Sequence, residues 1–292
     1  MARRRGPGYD PPPTLKLRRR RPLAQLIPID DPSDPRIAGY RQVRERDLVG
    51  REGLFVAEGE VVLRVLARSP CAELVSLLIA EKRQAALADV IAALPAATPV
   101  YLAGQAVMDA VVGFPIHRGM LGLGRRTATP SAADLLASLK AQALVLVLCG
   151  IANHDNMGGL FRNAAAFGAD AVLIDSDCCD PLYRKAIRVS VGAALTMPFA
   201  WLARDEDPID LLAAADVQPL ALSPRGETRL ADLPRPARAA VLLGAEGPGL
   251  PPSLLARSRA IAIPMASGFD SLNVATTAGI VLHHLRFVAR QA

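Results

Sequence analysis

This 292-residue chain is poor in the residues that mark several common protein classes. It has four cysteines, Cys71, Cys149, Cys178 and Cys179, and none forms a Cys-x-x-Cys pair with a second pair downstream. Too few for a disulfide scaffold and wrongly spaced for structural zinc, they fit a reduced, cytoplasmic compartment. The adjacent Cys178 and Cys179 are expected to be structural. Of the four histidines, His117 and His154 are far apart in sequence. His283 and His284 are adjacent, so a helix would point them about 100° apart. With no His-Glu-x-x-His either, no metal is expected. The longest apolar run, 143–152, is broken by Gly150 and falls far short of the ~20 residues a membrane helix needs, so no membrane partner is expected. No 7–15-residue apolar stretch follows the first arginines, as a secretory signal would require. The chain also lacks Gly-x-Gly-x-x-Gly, a phosphate loop ending in Lys-Ser/Thr, and a nucleophile elbow, since the sequence before Ser190 lacks the first glycine.

What is present is enough apolar residue for a large core, 51%, with 21% charged, and a length that suggests two domains. The net charge of +6 is concentrated at one end. Residues 1–22 carry eight Lys/Arg (Arg3, Arg4, Arg5, Lys16, Arg18, Arg19, Arg20 and Arg21) against one Asp, and the remainder is close to neutral. Residues 1–28, with Pro11-Pro12-Pro13, are expected to be a disordered basic tail, either making phosphate contacts with nucleic acid or acting as a solubilising arm.

Residues 29–127 alternate strand and helix patterns, which predicts a small α/β domain on a parallel or mixed sheet. Strands are expected at 54–57, 74–80, 100–102 and 120–123. Helices are expected over 34–47, 59–67 and 82–94, and through Val107 and Val111. Residues 128–140 read as a linker with a short helix. Residues 141–292 form a second α/β run, opening on Ala143-Leu144-Val145-Leu146-Val147-Leu148. That continuous apolar stretch suits a central parallel strand.

Three segments of the second run could carry chemistry. The first, from Ile151 to Gly168, leads from a strand through a polar loop into a helix expected to begin near Gly158. Asn156 is the candidate cap, and Arg162 lies one turn in. The second, Leu243-Gly244-Ala245-Glu246-Gly247-Pro248-Gly249-Leu250, follows a strand, and its glycines let a ligand approach the backbone. The third runs from Ile263-Pro264-Met265 through Ser271-Leu272-Asn273 into a helix of small residues, with Asp270 or Ser271 as its expected cap. Taken singly, each residue also has an ordinary structural explanation as a cap, a turn or a surface charge.

In this order and at these spacings, the three segments resemble the signature motifs of the SpoU (TrmH-like) RNA ribose 2′-O-methyltransferases, of the SPOUT superfamily. The resemblance spans about residues 141–292. Lys185-x-x-Arg188-x-Ser190-x-Gly192-Ala193 is similar to an intervening helix of the family. Phe55-Val56-Ala57-Glu58-Gly59 and His117-Arg118-Gly119 are similar, more loosely, to its RNA substrate-binding domain. The resemblance implies a C-terminal α/β domain with a parallel sheet and a deep trefoil knot, S-adenosylmethionine as methyl donor, an rRNA or tRNA substrate, and a homodimer. It implies a donor pocket formed by Leu243, Gly244, Glu246, Gly249, Ile263, Pro264, Met265, Leu272 and Asn273, largely through backbone groups. It gives catalytic and RNA-phosphate roles to Arg162, supported by Asn156, Glu246, Ser271 and Asn273. Many relatives carry Ser and Ala where this chain has Ala275 and Thr276. A non-catalytic RNA-binding or ribosome-assembly module on the same fold is the alternative.

Overall fold

A computed structural model describes residues 24–41, 53–266 and 271–289. The first unit is a five-stranded mixed sheet: β1 (Leu26–Ile29), β2 (Leu54–Glu58), β3 (Ala72–Ala80), β4 (Val100–Ala103) and β5 (Met120–Arg126), in the order β1-β4-β3-β5-β2. β1, β4 and β3 run parallel, whereas β5 is antiparallel to both β3 and β2. Helices α1 (Glu60–Leu66), α2 (Ala88–Ala93) and α3 (Gln105–Val112) cover it. Side chains of β3 alternate between faces, as the strand period demands. Leu77 and Ile79 join the core under α1 and α2, while Leu78 and Ala80 join the one beneath α3.

The second unit is a seven-stranded, wholly parallel sheet. Its strands are β6 (Ala143–Leu148), β7 (Ala171–Ile174), β8 (Phe199–Trp201), β9 (Gln218–Leu222), β10 (Thr228–Arg229), β11 (Arg238–Leu243) and β12 (Arg259–Ala262), in the order β10-β12-β9-β11-β6-β7-β8. Two layers of helix cover it. Leu144, Leu146 and Leu148 of β6 face α5 (His154–Ala166) and α9 (Val274–His283). Val145 and Val147 face α4 (Ala132–Ala137) and α7 (Pro208–Ala214). Burial on both faces explains why β6 reads as an unbroken apolar run. α6 (Arg184–Val189) and α8 (Pro252–Ala256) complete the set among the described residues.

Several expectations need correction. β1 lies largely inside the stretch expected to be tail, because Leu26–Pro28 pair with β4. The short helix expected within 128–140 is α4, capped by Ser131, but Ala132, Leu135, Leu136 and Leu139 are buried in the second core, so it is part of the second unit rather than a linker. The helix expected over 34–47 is a short 3-10 segment at Pro35–Tyr40, and its remainder lies outside the described residues. The helix expected at 82–94 divides into a 3-10 turn, Glu81–Leu87, and α2.

The two units share a core. Leu182, Ile187 and Leu195 of the second pack among Phe55, Leu63 and Leu66 of the first. Around this apolar join, Arg184 donates from Nε and Nη2 to the buried Glu58 carboxylate at 3.1 and 2.8 Å, and Arg126 pairs with Asp180. Burial of Leu182 and Ile187, at 3% and 0% exposure, makes the join an apolar anchor with polar ties.

A candidate methyl-transfer site at the carboxyl edge of the parallel sheet

In a parallel sheet, every strand delivers its following loop to the same edge. The loops after β6, β11 and β12 therefore converge, although the first lies about a hundred residues before the other two in sequence. Gly150 opens the first with φ +67°, and Asp175 of the loop after β7 fixes it, accepting from the Gly150 amide at 3.0 and 2.9 Å. The Ile151 amide donates to Cys178 Sγ at 3.1 Å, and the Cys179 amide donates to the Ile151 carbonyl at 2.8 Å. The adjacent cysteines thus buttress the loop entering α5. Desolvation pushes the Cys149 thiol up to about 12 and the Cys179 thiol up to about 11, and it raises Cys178 further.

α5 begins four residues earlier than its sequence suggests. Its cap is Asn153, whose side chain accepts from the amides of Asp155 and Asn156 at 2.8 and 3.3 Å. Asn156, released from capping, is buried at 6% exposure and joins all three segments. Its Nδ2 donates to Glu246 Oε1 at 2.5 Å, and its Oδ1 accepts from Asn273 Nδ2 at 2.8 Å. Asn273 in turn caps α9, accepting from the amides of Ala275 and Thr276. The cap of the last helix is thus Asn273, rather than Asp270 or Ser271, because its side-chain oxygen reaches the first free amides of α9. Residues 267–270 lie outside the described residues.

The Gly244–Gly249 loop folds back on itself: the Gly249 amide donates to the Ala245 carbonyl at 3.0 Å. A Cβ on Gly244 would stand 2.2 Å from the Gly249 carbonyl carbon, so only glycine fits. Leu243 is buried at the end of β11. Ile263 and Met265 are half-buried beyond β12, and Pro264 is exposed. Leu272 is 43% exposed and precedes Asn273, whose side chain is tied through Asn156 to Glu246 of the glycine loop. This edge brings together the glycine loop, the Asn156 bridge and the start of α9.

Arg162 does not join the Asn156 chain. It lies six residues further along α5, about 9 Å up the helix axis. It is exposed, and its guanidinium has no partner among the described residues. It lines a cavity of about 440 Å³ with Gly159, Asn163, Val189, Ala275, Thr276 and Gly279. There α5 and α9 cross closely. A Cβ on Gly159 would approach Ala275 Cβ to 2.8 Å, and Asn163 Nδ2 donates to the Ala275 carbonyl at 2.6 Å. Asn153 and Asn163 both escape sequence reasoning as position-setting residues. Their only signals are a polar residue before the helix and a row of small residues on the facing one. Ser271 is exposed and flanks the cap of α9. Arg3, Arg4, Arg5, Lys16 and Arg18–Arg21 lie outside the described residues.

Known proteins share this sequence pattern and fold. A profile of the SpoU rRNA Methylase family matches residues 143–283. An uncharacterized tRNA/rRNA methyltransferase of Mycobacterium bovis is 39% identical over 264 residues, covering 87% of this chain and 89% of the relative. One from Mycobacterium tuberculosis is 38% identical over the same length, with the same coverage of both chains. Among solved structures, an RNA 2′-O ribose methyltransferase shares 25% identity with a TM-score of 0.74, covering 89% of this chain and 98% of that one. An AdoMet-bound rRNA methyltransferase from Sinorhizobium meliloti has the same fold, with a TM-score of 0.76 at 23% identity over 89% of this chain and 97% of that one. With both the motif-bearing sheet and nearly the full length matched, the chain belongs to the SpoU rRNA methylase family.

Proposed function

We propose that this protein transfers a methyl group from S-adenosylmethionine to a ribose 2′-hydroxyl in a structured rRNA or tRNA. The observation that carries this is the Glu246–Asn156–Asn273 hydrogen-bond chain. It draws the three segments to one edge while leaving Arg162 unpaired in the adjoining cavity.

S-adenosylmethionine supplies a methyl group already activated on a sulfonium. The protein's task is therefore to align the attacking hydroxyl and take up the charge it develops. The backbone of Leu243, Gly244, Gly249, Ile263, Pro264, Met265 and Leu272 would hold the donor. Asn156 and Asn273 fix the walls of that cradle, and Glu246 closes the chain. Arg162 would grip the RNA phosphate and stabilise negative charge on the 2′-oxygen as its proton passes to solvent water. Ser271, at the mouth, would hydrogen-bond the ribose or donor.

The same reading extends to the assembly. Ile280 of α9, and Phe287 and Val288 of the π-helical turn that follows it (His284–Val288), are 40%, 66% and 57% exposed and give a second copy an apolar face to cover, beginning at the open Arg162 cavity, which Ile280 lines. The return of α9 onto α5 after β12 is consistent with the trefoil knot of the family's fold. The basic residues 1–22 would add phosphate contacts.

The test is transfer of labelled methyl into unmodified rRNA and tRNA pools, with wild type and Arg162→Ala in parallel and digestion to find alkali-resistant 2′-O-methyl linkages. Label in one pool, lost in the variant while donor binding persists, is the expected outcome. Absence of both label and donor binding would replace this reading with a non-catalytic RNA-binding module.

A further inference from the structure

Away from the cradle, one aromatic ring stands in the open. Phe114, in the loop between α3 and β5, is 48% exposed, and its ring lies 5.4 Å from the Arg184 guanidinium. Arg184 is not a loose support, because it donates twice to Glu58, which is only 6% exposed. The ring therefore rests on a pinned cation, and part of it is left to solvent. The same loop presents the exposed His117 and Arg118. Arg118 lies against Gly59, where a Cβ would come within 3.0 Å of its Nη1, and φ +96° also favours glycine. Arg83 flanks the loop's far side, its Nη2 donating weakly to the His117 carbonyl at 3.4 Å. The cations Arg83, Arg118 and Arg184 thus stand about this loop alongside the carboxylates of Glu58 and Asp109, both of them engaged, Glu58 by Arg184 and Asp109 by the Ile116 amide at 2.8 Å. An exposed aromatic face among backbone-reaching cations is the usual way of stacking an unpaired nucleobase.

The position matters as much as the composition. α6 starts at Arg184 beneath Phe114 and ends at Val189, which lines the Arg162 cavity. The two ends are about 7.5 Å apart along the helix axis. At the Arg184 end, Tyr183 meets His154 edge-to-face at 4.8 Å, and Lys185 pairs with Asp155 at 2.6 Å, so α6 is fastened to the first turn of α5.

We propose that Phe114 is a base-stacking platform for an unpaired nucleotide flanking the methylated one, with Arg118 holding that nucleotide's phosphate. This rests on the RNA-methyltransferase reading above and adds a residue that selects single-stranded targets. Stacking tolerates any base, so the platform recognises an unpaired nucleotide rather than a sequence.

The test uses the full-length protein, a fluorescein-labelled twelve-nucleotide oligoadenylate as probe, and the RNA pool that accepts methyl. Phe114→Leu is expected to weaken oligoadenylate binding about tenfold, within the range found for one base–aromatic stack. Phe114→Trp is expected to retain wild-type affinity, and the emission of its new indole should be quenched by oligoadenylate. Arg118→Gln should lower the salt slope of binding by about 0.7, one phosphate's worth on a single strand. Donor binding should be unchanged in all three, which shows that they fold. Wild-type affinity in Phe114→Leu together with an unquenched Phe114→Trp would overturn the platform while leaving methyl transfer intact, and would point to a protein contact at this loop. A wild type that neither binds oligoadenylate nor methylates RNA would overturn both proposals.

Discussion

The two sheets of this protein do different work because their strands run differently. In the parallel sheet every carboxyl end meets one edge, so three loops from distant sequence share a cradle. In the mixed sheet β5 runs antiparallel to its neighbours, so loops leave from both edges and no comparable convergence arises. That sheet instead offers surfaces. One end of β2 provides Glu58 to hold Arg184, and the loop before β5 displays Phe114. A parallel sheet concentrates polar groups into a site, whereas a mixed one distributes them into joins and platforms.

The comparison is broken most severely at Arg162. Arg162→Ala is expected to lower methyl transfer by about 100- to 1000-fold with donor affinity unchanged, as measured by single-turnover transfer and calorimetry. Next is the join between the sheets. Arg184→Ala leaves the Glu58 carboxylate buried without its main partner, so stability should fall by about 3 kcal/mol in urea unfolding. An unchanged midpoint would mean that the apolar contacts of Leu182, Ile187 and Leu195 carry the join alone. Gly244→Ala tests the cradle. Its new methyl meets the Gly249 backbone, so the loop must open, costing about 2 kcal/mol and weakening donor binding, while oligoadenylate binding at the mixed sheet persists. Asn153→Ala removes the cap of α5 and should cost about 1 kcal/mol, a clear but smaller change in the same unfolding assay.

The smallest effect at neutral pH comes from the thiols of the parallel sheet. Cys149 and Cys179 are raised from an ordinary value near 9 to about 12 and about 11, so the unfolded chain ionises first. Their contribution to stability is complete below about pH 9 and is lost as pH rises through the folded values. Unfolding midpoints should therefore be flat from pH 7 to 8.5 and fall toward pH 11. A Cys149→Ser, Cys179→Ser variant should show a shallower fall.

Much of this organisation was legible in the residues. The unbroken apolar stretch 143–148 marked a strand buried on both faces, and the glycines after Leu243 marked a tight loop, which folds back on its own backbone. Helix starts were less legible. Asn153 and Asn156 both suit a cap, and only the three-dimensional position of Glu246 and Asn273 shows that one caps while the other bridges. β1 was hidden because Leu-Ile-Pro-Ile is too short to show a period and follows a basic, proline-rich stretch; its pairing with β4 makes it a strand.

By itself, the sequence determined the alternation of strand and helix, the location of the excess positive charge, and the three segments that define the family. These depend on composition and short-range period, which a chain carries locally. Only the tertiary structure decided that Asn156 joins those segments and that Arg162 stands apart from them in its own cavity. It also decided that Glu58, 126 residues before Arg184, pins the cation beneath Phe114. Such contacts depend on strand order and helix crossing, and no local pattern encodes which distant residues a sheet edge will bring together.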